Sequence, residues 1–207
     1  MLRTVSAALH PYRPRPVVVP ALVRRDQVPP AEWTGTLLDR ARVPLWDGVA
    51  VDARHEVTPA LRLAALADLV PPRGVVGRCA AAWVHAGGPR PATVDVLVPP
   101  GARRTDPHPL RRAAEGPLPA RDVLDLGTGR VTTVQRTGLD VARYAPADEA
   151  VRLLVGLLPH GYDPHAALAT LAGLPGGRGT RRARALLEGL LPLLPPGAGG
   201  RRVVRPG

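Results

Sequence analysis

Val131-Thr-Thr-Val-Gln-Arg-Thr-Gly-Leu-Asp140, continued through Val141-Ala-Arg-Tyr-Ala-Pro146 and on to Leu158, is the stretch whose reading decides the fold. Thr132 and Gln135 have the spacing of a capping box, in which a hydroxyl takes one unpaired amide of a first helical turn and a glutamine side chain reaches back to another. A helix is therefore expected to start here. Arg136, Asp140 and Arg143 follow at i, i+4 and i+7, which places one carboxylate between two guanidiniums on a single face. Together with Thr133 they read as a structural network that locks the helix in position. Pro146 ends that helix, and Asp148, followed by Glu149, is placed to cap the next. Val151, Leu154, Val155 and Leu158 then repeat at helical spacing and are expected to form a buried stripe. Two packed helices follow from this, but no function.

Length and composition set the limits around that stretch. The chain has 207 residues, 45% of them hydrophobic, enough for one ordinary domain or two small ones. It contains no Lys, Ile, Asn or Phe, and Arg, Ala, Gly, Pro, Leu and Val dominate, as a GC-rich coding bias would produce. A formal net charge of +11 favours a polyanionic partner, yet a bias that places arginine everywhere yields the same total. Nucleic-acid contact must therefore be argued from clusters. The absence of lysine removes a Walker A phosphate loop, a Schiff-base enzyme and a lysine-dependent nuclease centre. Cys79 alone permits neither an intrachain disulfide nor a cysteine-based zinc cage, which suits a reducing cytoplasm. The first residues lack the apolar core of a signal peptide, and no apolar run approaches the ~18 residues needed to span a bilayer. The expected location is cytoplasmic, without membrane attachment.

In chain order, residues 1–16 read as a flexible arm rich in Pro and Arg. Residues 31–42 read as a short helix after Pro29-Pro30, with Trp33, Leu37 and Leu38 on one side. Asp47-Gly48 between apolar flanks is a strong hairpin signal. Helix followed by hairpin is the order of a winged helix. Thr58-Pro59 opens a helix directed inward by Leu61, Leu66, Leu69 and Val70 and stopped by Pro71-Pro72. A second helix is expected from Val75 to about Ala86, closing at Gly87-Gly88, then a strand over Thr93–Val98 and a basic loop from Gly101. Residues 122–133 read as a hairpin turning at Gly127-Thr-Gly129. Asp163-Pro164 caps a helix that ends at Gly173, and Thr180 starts a basic amphipathic helix. Pro and Gly take over from Pro192, where no fixed structure is expected. The expected fold is α+β: a degenerate winged-helix segment over 17–57, then a mixed domain over 58–191 with a short sheet and a helical C-terminal half, and a disordered tail over 192–207.

This order, with the signature Thr133, Arg136, Thr137 and Asp140 followed by Ala142-Arg143, resembles the AbiEi-type antitoxins of bacterial type IV toxin–antitoxin pairs. Gly48-Val-Ala50 is similar to that family's wing, and Cys79-Ala-Ala-Ala-Trp83 to its Ser-Ala-Ala helix. The resemblance covers roughly residues 20–190 and is to members without the carboxy-terminal endonuclease domain that some carry. It implies a cytoplasmic, non-enzymatic transcriptional regulator that binds DNA through its winged helix and neutralises a nucleotidyltransferase-like toxin through its C-terminal domain. No cofactor is implied. The family's recognition helix would fall on 31–42, which departs from a typical one in offering only Arg40 and Arg42 and in containing Gly35.

Arg24, Arg25, Arg40 and Arg42 are thus the candidate nucleic-acid contacts, as guanidiniums that hold phosphates without reading bases. Arg181, Arg182 and Arg184 are the candidate partner contacts, weighed against an ordinary solvated helix face. An interaction module that has lost DNA binding is the alternative. A further rival lies at Val123-Leu-Asp-Leu-Gly-Thr-Gly129, which looks like the first motif of S-adenosylmethionine methyltransferases, although Val131 stands where a third glycine belongs. His160, Asp163 and His165 are wrongly spaced for one helical face, so no metal is expected. Cys79 among alanines reads as a small core residue.

Overall fold

The computed structural model describes residues 21–101, 106–174 and 176–194. It is an α+β fold whose described residues form two small sheets and seven α-helices. The arm over 1–16, residues 102–105 of the basic loop and the tail beyond residue 194 lie outside the described residues.

The first sheet is β1 (Leu22–Arg24), β2 (Arg42–Trp46) and β3 (Val49–Asp52), ordered β1-β3-β2 with antiparallel neighbours. The hairpin turns at Asp47-Gly48 as expected, and Gly48 has a φ of +62°, a conformation that favours glycine. Helix α1 (Pro30–Leu38) precedes the hairpin, so the helix-then-hairpin order is present. α1 buries no residue fully: of the three apolar residues expected on one side, Trp33 and Leu37 are half-buried and Leu38 is 77% exposed.

The second sheet comprises β4 (Val75–Val76), β5 (Val94–Val98), β6 (Arg111–Glu115), β7 (Val123–Asp125) and β8 (Arg130–Thr132), in the order β6-β5-β4-β8-β7. It is mixed: β5 with β6 and β4 with β8 are parallel, the other pairs antiparallel. All five residues of β5 are buried, as in a strand covered on both faces. Its neighbour β6 is an edge strand that the sequence does not announce, because Arg111-Arg-Ala-Ala-Glu115 shows neither apolar alternation nor a buried residue. A charged edge resists pairing with other chains.

Two further helices lie between the first sheet and β5. α2 (Pro59–Ala65) is capped by Thr58, whose hydroxyl accepts from Leu61 N at 3.2 Å. α3 starts at Arg78 and runs to Ala86, three residues later than the expected Val75. The two valines instead pair with Val96 and Leu97, and a Cβ at Gly77 would stand 2.8 Å from Leu97 Cγ, so the chain passes against the sheet before it can coil.

The C-terminal half is four helices: α4 (Val134–Tyr144), α5 (Ala147–Leu157), α6 (Pro164–Ala172) and α7 (Thr180–Leu190). The two packed helices are where they were expected, but their caps differ. Thr133, not Thr132, caps α4 by accepting from Arg136 N at 3.4 Å. Thr132 completes β8, its hydroxyl 2.7 Å from that of Thr137. Gln135 does not fold back on its own helix; it exchanges two hydrogen bonds with the backbone of Asp163, at 2.8 and 2.9 Å. Pro146 occupies the N-cap of α5, leaving Asp148 and Glu149 in the first turn as dipole partners only. The buried stripe of α5 is Ala150, Leu154 and Leu157, while Val151 and Val155 are exposed. The four apolar residues do form one stripe, but packing on α3 and α4 turns the buried face away from its centre, toward the side that carries Ala150 and Leu157. Asp163 caps α6 through His165 N at 2.8 Å and Ala166 N at 3.2 Å. A turn over Leu191–Leu193 continues α7 into the first residues of the expected tail.

Two apolar clusters result. One joins the hairpin to α2, α3 and the second sheet, with Trp46 and Trp83 stacked obliquely at 5.2 Å. The other lies among α4 to α7. Tyr162, 1% exposed, is the largest side chain within it, and its ring rests on Gly138 of α4.

Candidate functional site

Where the second sheet meets the helical half, α4 forms the floor of a groove of about 760 Å³. One wall is the β6–β7 connection around Pro117, and the other is the end of α6 with the turn before α7. A cavity of this size lies within the ~300–1,000 Å³ of ligand sites.

Charge in the floor is arranged in layers. Arg136 lies at the centre, donating from Nε to Asp140 Oδ2 at 2.8 Å and from a terminal nitrogen to Asp122 Oδ2 at 2.9 Å and Pro117 O at 3.2 Å. It thereby fastens α4 to the residues leading into β7. Asp140 is 1% exposed. Burial raises its pKa against the opposing pull of Arg136, Arg143 and Arg78. Burial works against the charge of Arg136 too, but the two carboxylates outweigh it and its pKa is raised. Asp140 Oδ1 and Arg78 Nε are both buried without a hydrogen-bond partner among the described residues.

Arg78 opens α3 with a φ of +50°, uncommon for a residue with a side chain. Its guanidinium lies 3.6 Å from Asp95 and 4.6 Å over the ring of Tyr144. Arg143 takes the same ring at 4.9 Å, so Tyr144 is flanked by two cations. The expected row of Arg136, Asp140 and Arg143 is therefore only half formed. Arg143 donates to Arg178 O at 3.0 and 2.8 Å, tying α4 to the start of α7 instead of pairing with Asp140. Asp122, Arg78 and Tyr144, which complete the site, were not singled out by the sequence. The first is 14 positions from Arg136, and no local pattern joins them.

The candidate nucleic-acid residues divide into two pairs. Arg24 is ion-paired with Asp68 and donates to Ala64 O at 3.2 Å. Arg42 packs back onto α1, 3.5 Å from Glu32 Oε1 and 3.4 Å from the Thr36 hydroxyl. Arg25 and Arg40 are exposed, with no ion pair among the described residues. Of the candidate partner contacts, Arg181 and Arg184 are exposed on α7, and Arg182 is held by Ala145 O at the end of α4.

Gly127-Thr-Gly129 turns between antiparallel β7 and β8, next to an open depression of about 400 Å³. The first motif of a methyltransferase instead follows a buried parallel strand and opens a helix, whereas Leu124 and Asp125 of β7 are exposed. The Cys79 thiol is pushed up to about 12, by burial first and then by Glu149 and Asp95, which makes it a poor nucleophile. Among the described residues no group of three His, Cys, Asp or Glu side chains is placed to hold a metal ion, and no helix is long and apolar enough to cross a membrane.

No family model and no curated protein matches the chain. Among solved structures it is similar to the RV2827C protein from Mycobacterium tuberculosis, at 18% identity over 89% of this chain and 78% of that one, with a TM-score of 0.39. A likeness at that level assigns no function.

Proposed function

We propose that this chain is a non-enzymatic, antitoxin-like transcriptional regulator of the AbiEi type, acting in the cytoplasm, that holds DNA through its N-terminal segment and a nucleotidyltransferase-like toxin through its helical C-terminal half. The observation that carries the reading is the arrangement of α1 ahead of the β2–β3 hairpin, with β1 closing the sheet on the far side of β3. Arg25 and Arg40 flank that unit and are exposed. α1 itself carries Glu32 and no basic residue, so the contact is with phosphates and not with base edges. On this reading Arg25 and Arg40 are the DNA residues, while Arg24 and Arg42 brace the segment from within. Arg181 and Arg184 on α7 are the exposed cations of the partner-facing half.

A gel-shift titration against the DNA upstream of the protein's own gene tests this. Binding should weaken steeply with salt, and removing Arg25 and Arg40 together should lower the slope of log K against log salt by roughly two. No shift at low salt, or a shift indifferent to salt, sinks the DNA claim. The pairing of Arg24 and Arg42 with acids inside the chain favours one second reading, a protein-interaction module that no longer binds DNA. Copurification of the neighbouring gene's product by a chain without DNA affinity selects it.

A further inference from the structure

The groove over α4 has its own partner chemistry, separate from the exposed arginines of α7. Four arginines and three carboxylates line it, a near balance that does not suit a polyanion. Its central cation, Arg136, is already engaged by Asp122, Asp140 and Pro117 O, which compensate its charge. What the groove still offers at its surface is paired: Glu115 and Arg121, both exposed, at the β6–β7 wall, above a floor in which Asp140 Oδ1 and Arg78 Nε are buried without a hydrogen-bond partner among the described residues. Neither Glu115 nor Arg121 forms an ion pair among the described residues. Leu139 and Leu174 supply apolar surface between them. Acceptors and donors of both charge signs around apolar ground match a peptide, whose backbone carries N–H and C=O together and whose side chains can bring one charge of each sign.

We propose that this groove binds an extended, mixed-charge peptide segment of a protein partner, with the peptide's basic group toward Glu115 and its acidic group toward Arg121. The inference rests on the reading that the C-terminal half faces a protein, and it places that contact at α4 instead of α7.

The probes are a blocked tetrapeptide of arginine, alanine, leucine and aspartate, its all-arginine and all-aspartate counterparts, and sodium sulfate. Each is titrated into the full chain with backbone and arginine side-chain resonances followed by NMR. The mixed peptide should saturably move Gly116, Gly177 and Arg121, and bind at least about fivefold more tightly than sulfate or the all-aspartate peptide. Arg121→Glu, at an exposed site, should transfer the preference to the all-arginine peptide, and Glu115→Arg to the all-aspartate one. Equal binding of sulfate, groove resonances that no peptide moves, or a preference unchanged in both variants would each overturn the proposal.

Copurification with the neighbouring gene's product separates this inference from the functional reading. A partner retained as well by Arg121→Glu and Glu115→Arg as by the parent chain sinks the groove and spares the regulator. Peptide binding in the groove of a chain that holds no such partner sinks the regulator and spares the groove.

Discussion

Gly138→Ala isolates the contact that joins α4 to the rest of the helical half. In a bare helix the change is favourable by ~1 kcal/mol, since alanine gives up less backbone freedom. Here an added Cβ would stand 2.7 Å from Tyr162 Cζ and closer still to Cδ2 and Cε2. The ring cannot give way cheaply: Tyr162 is 1% exposed, and its amide donates to Leu157 O at 3.2 Å, which fixes the loop that carries it. Overpacking of this kind costs about 1–3 kcal/mol, and a clash with an immobile aromatic ring belongs at the top of that range. The net expectation is a loss of about 2 kcal/mol, or ~4–8 °C in Tm for a chain of this size. Urea unfolding followed by far-UV circular dichroism reads it directly. Tyr162→Leu removes the obstructing ring, and in that background Gly138→Ala should turn stabilising by up to ~1 kcal/mol. The resulting coupling of about 3 kcal/mol lies at the upper end for touching residues. A Gly138→Ala chain as stable as its parent, or one equally damaged with and without the Tyr162 ring, would refute the packing argument.

Arg136→Ala should destabilise the fold by about 3 kcal/mol near neutral pH, because it leaves Asp140 buried and uncompensated. Burial already raises the Asp140 pKa, and the variant raises it further; the deficit should therefore shrink as the pH is lowered and the carboxyl takes a proton, whereas a deficit independent of pH would contradict the assignment. His85 is buried with Nε2 2.7 Å from Thr132 O, and burial lowers its pKa from the ordinary 6.5. The folded state thus holds it neutral while the unfolded chain protonates, so stability is full above about pH 6.5 and falls below it, and His85→Gln should remove part of that slope in urea titrations across the pH range. Gly179→Ala combines a φ of +74° with a Cβ 2.5 Å from Arg143 O, and should cost at least ~1–3 kcal/mol in thermal unfolding. Asp163→Ala should cost about 1 kcal/mol by the same measurement, through the lost cap of α6.

Part of the site was legible before any fold was known. Arg136 and Asp140 lie four residues apart, and a helix of any environment brings such a pair together. Arg143 shared the same face but found the Arg178 carbonyl, because the turn before α7 passes there. Arg24 and Arg42 looked like free cations and are paired, the first with an acid 44 positions away. The edge strand β6 carries no signal of its own; it exists because β5 presents a row of backbone groups to pair with.

The hairpin at Asp47-Gly48, the caps at Thr58 and Asp163 and the succession of α4 and α5 were fixed by residues acting over one or two turns of chain, where steric limits and nearby hydrogen bonds suffice. Tertiary structure decided which side of α5 is buried, why α4 has a glycine at position 138, and which arginines remain free. Those outcomes depend on surfaces from distant segments meeting at van der Waals contact, and no spacing within one segment encodes what it will meet.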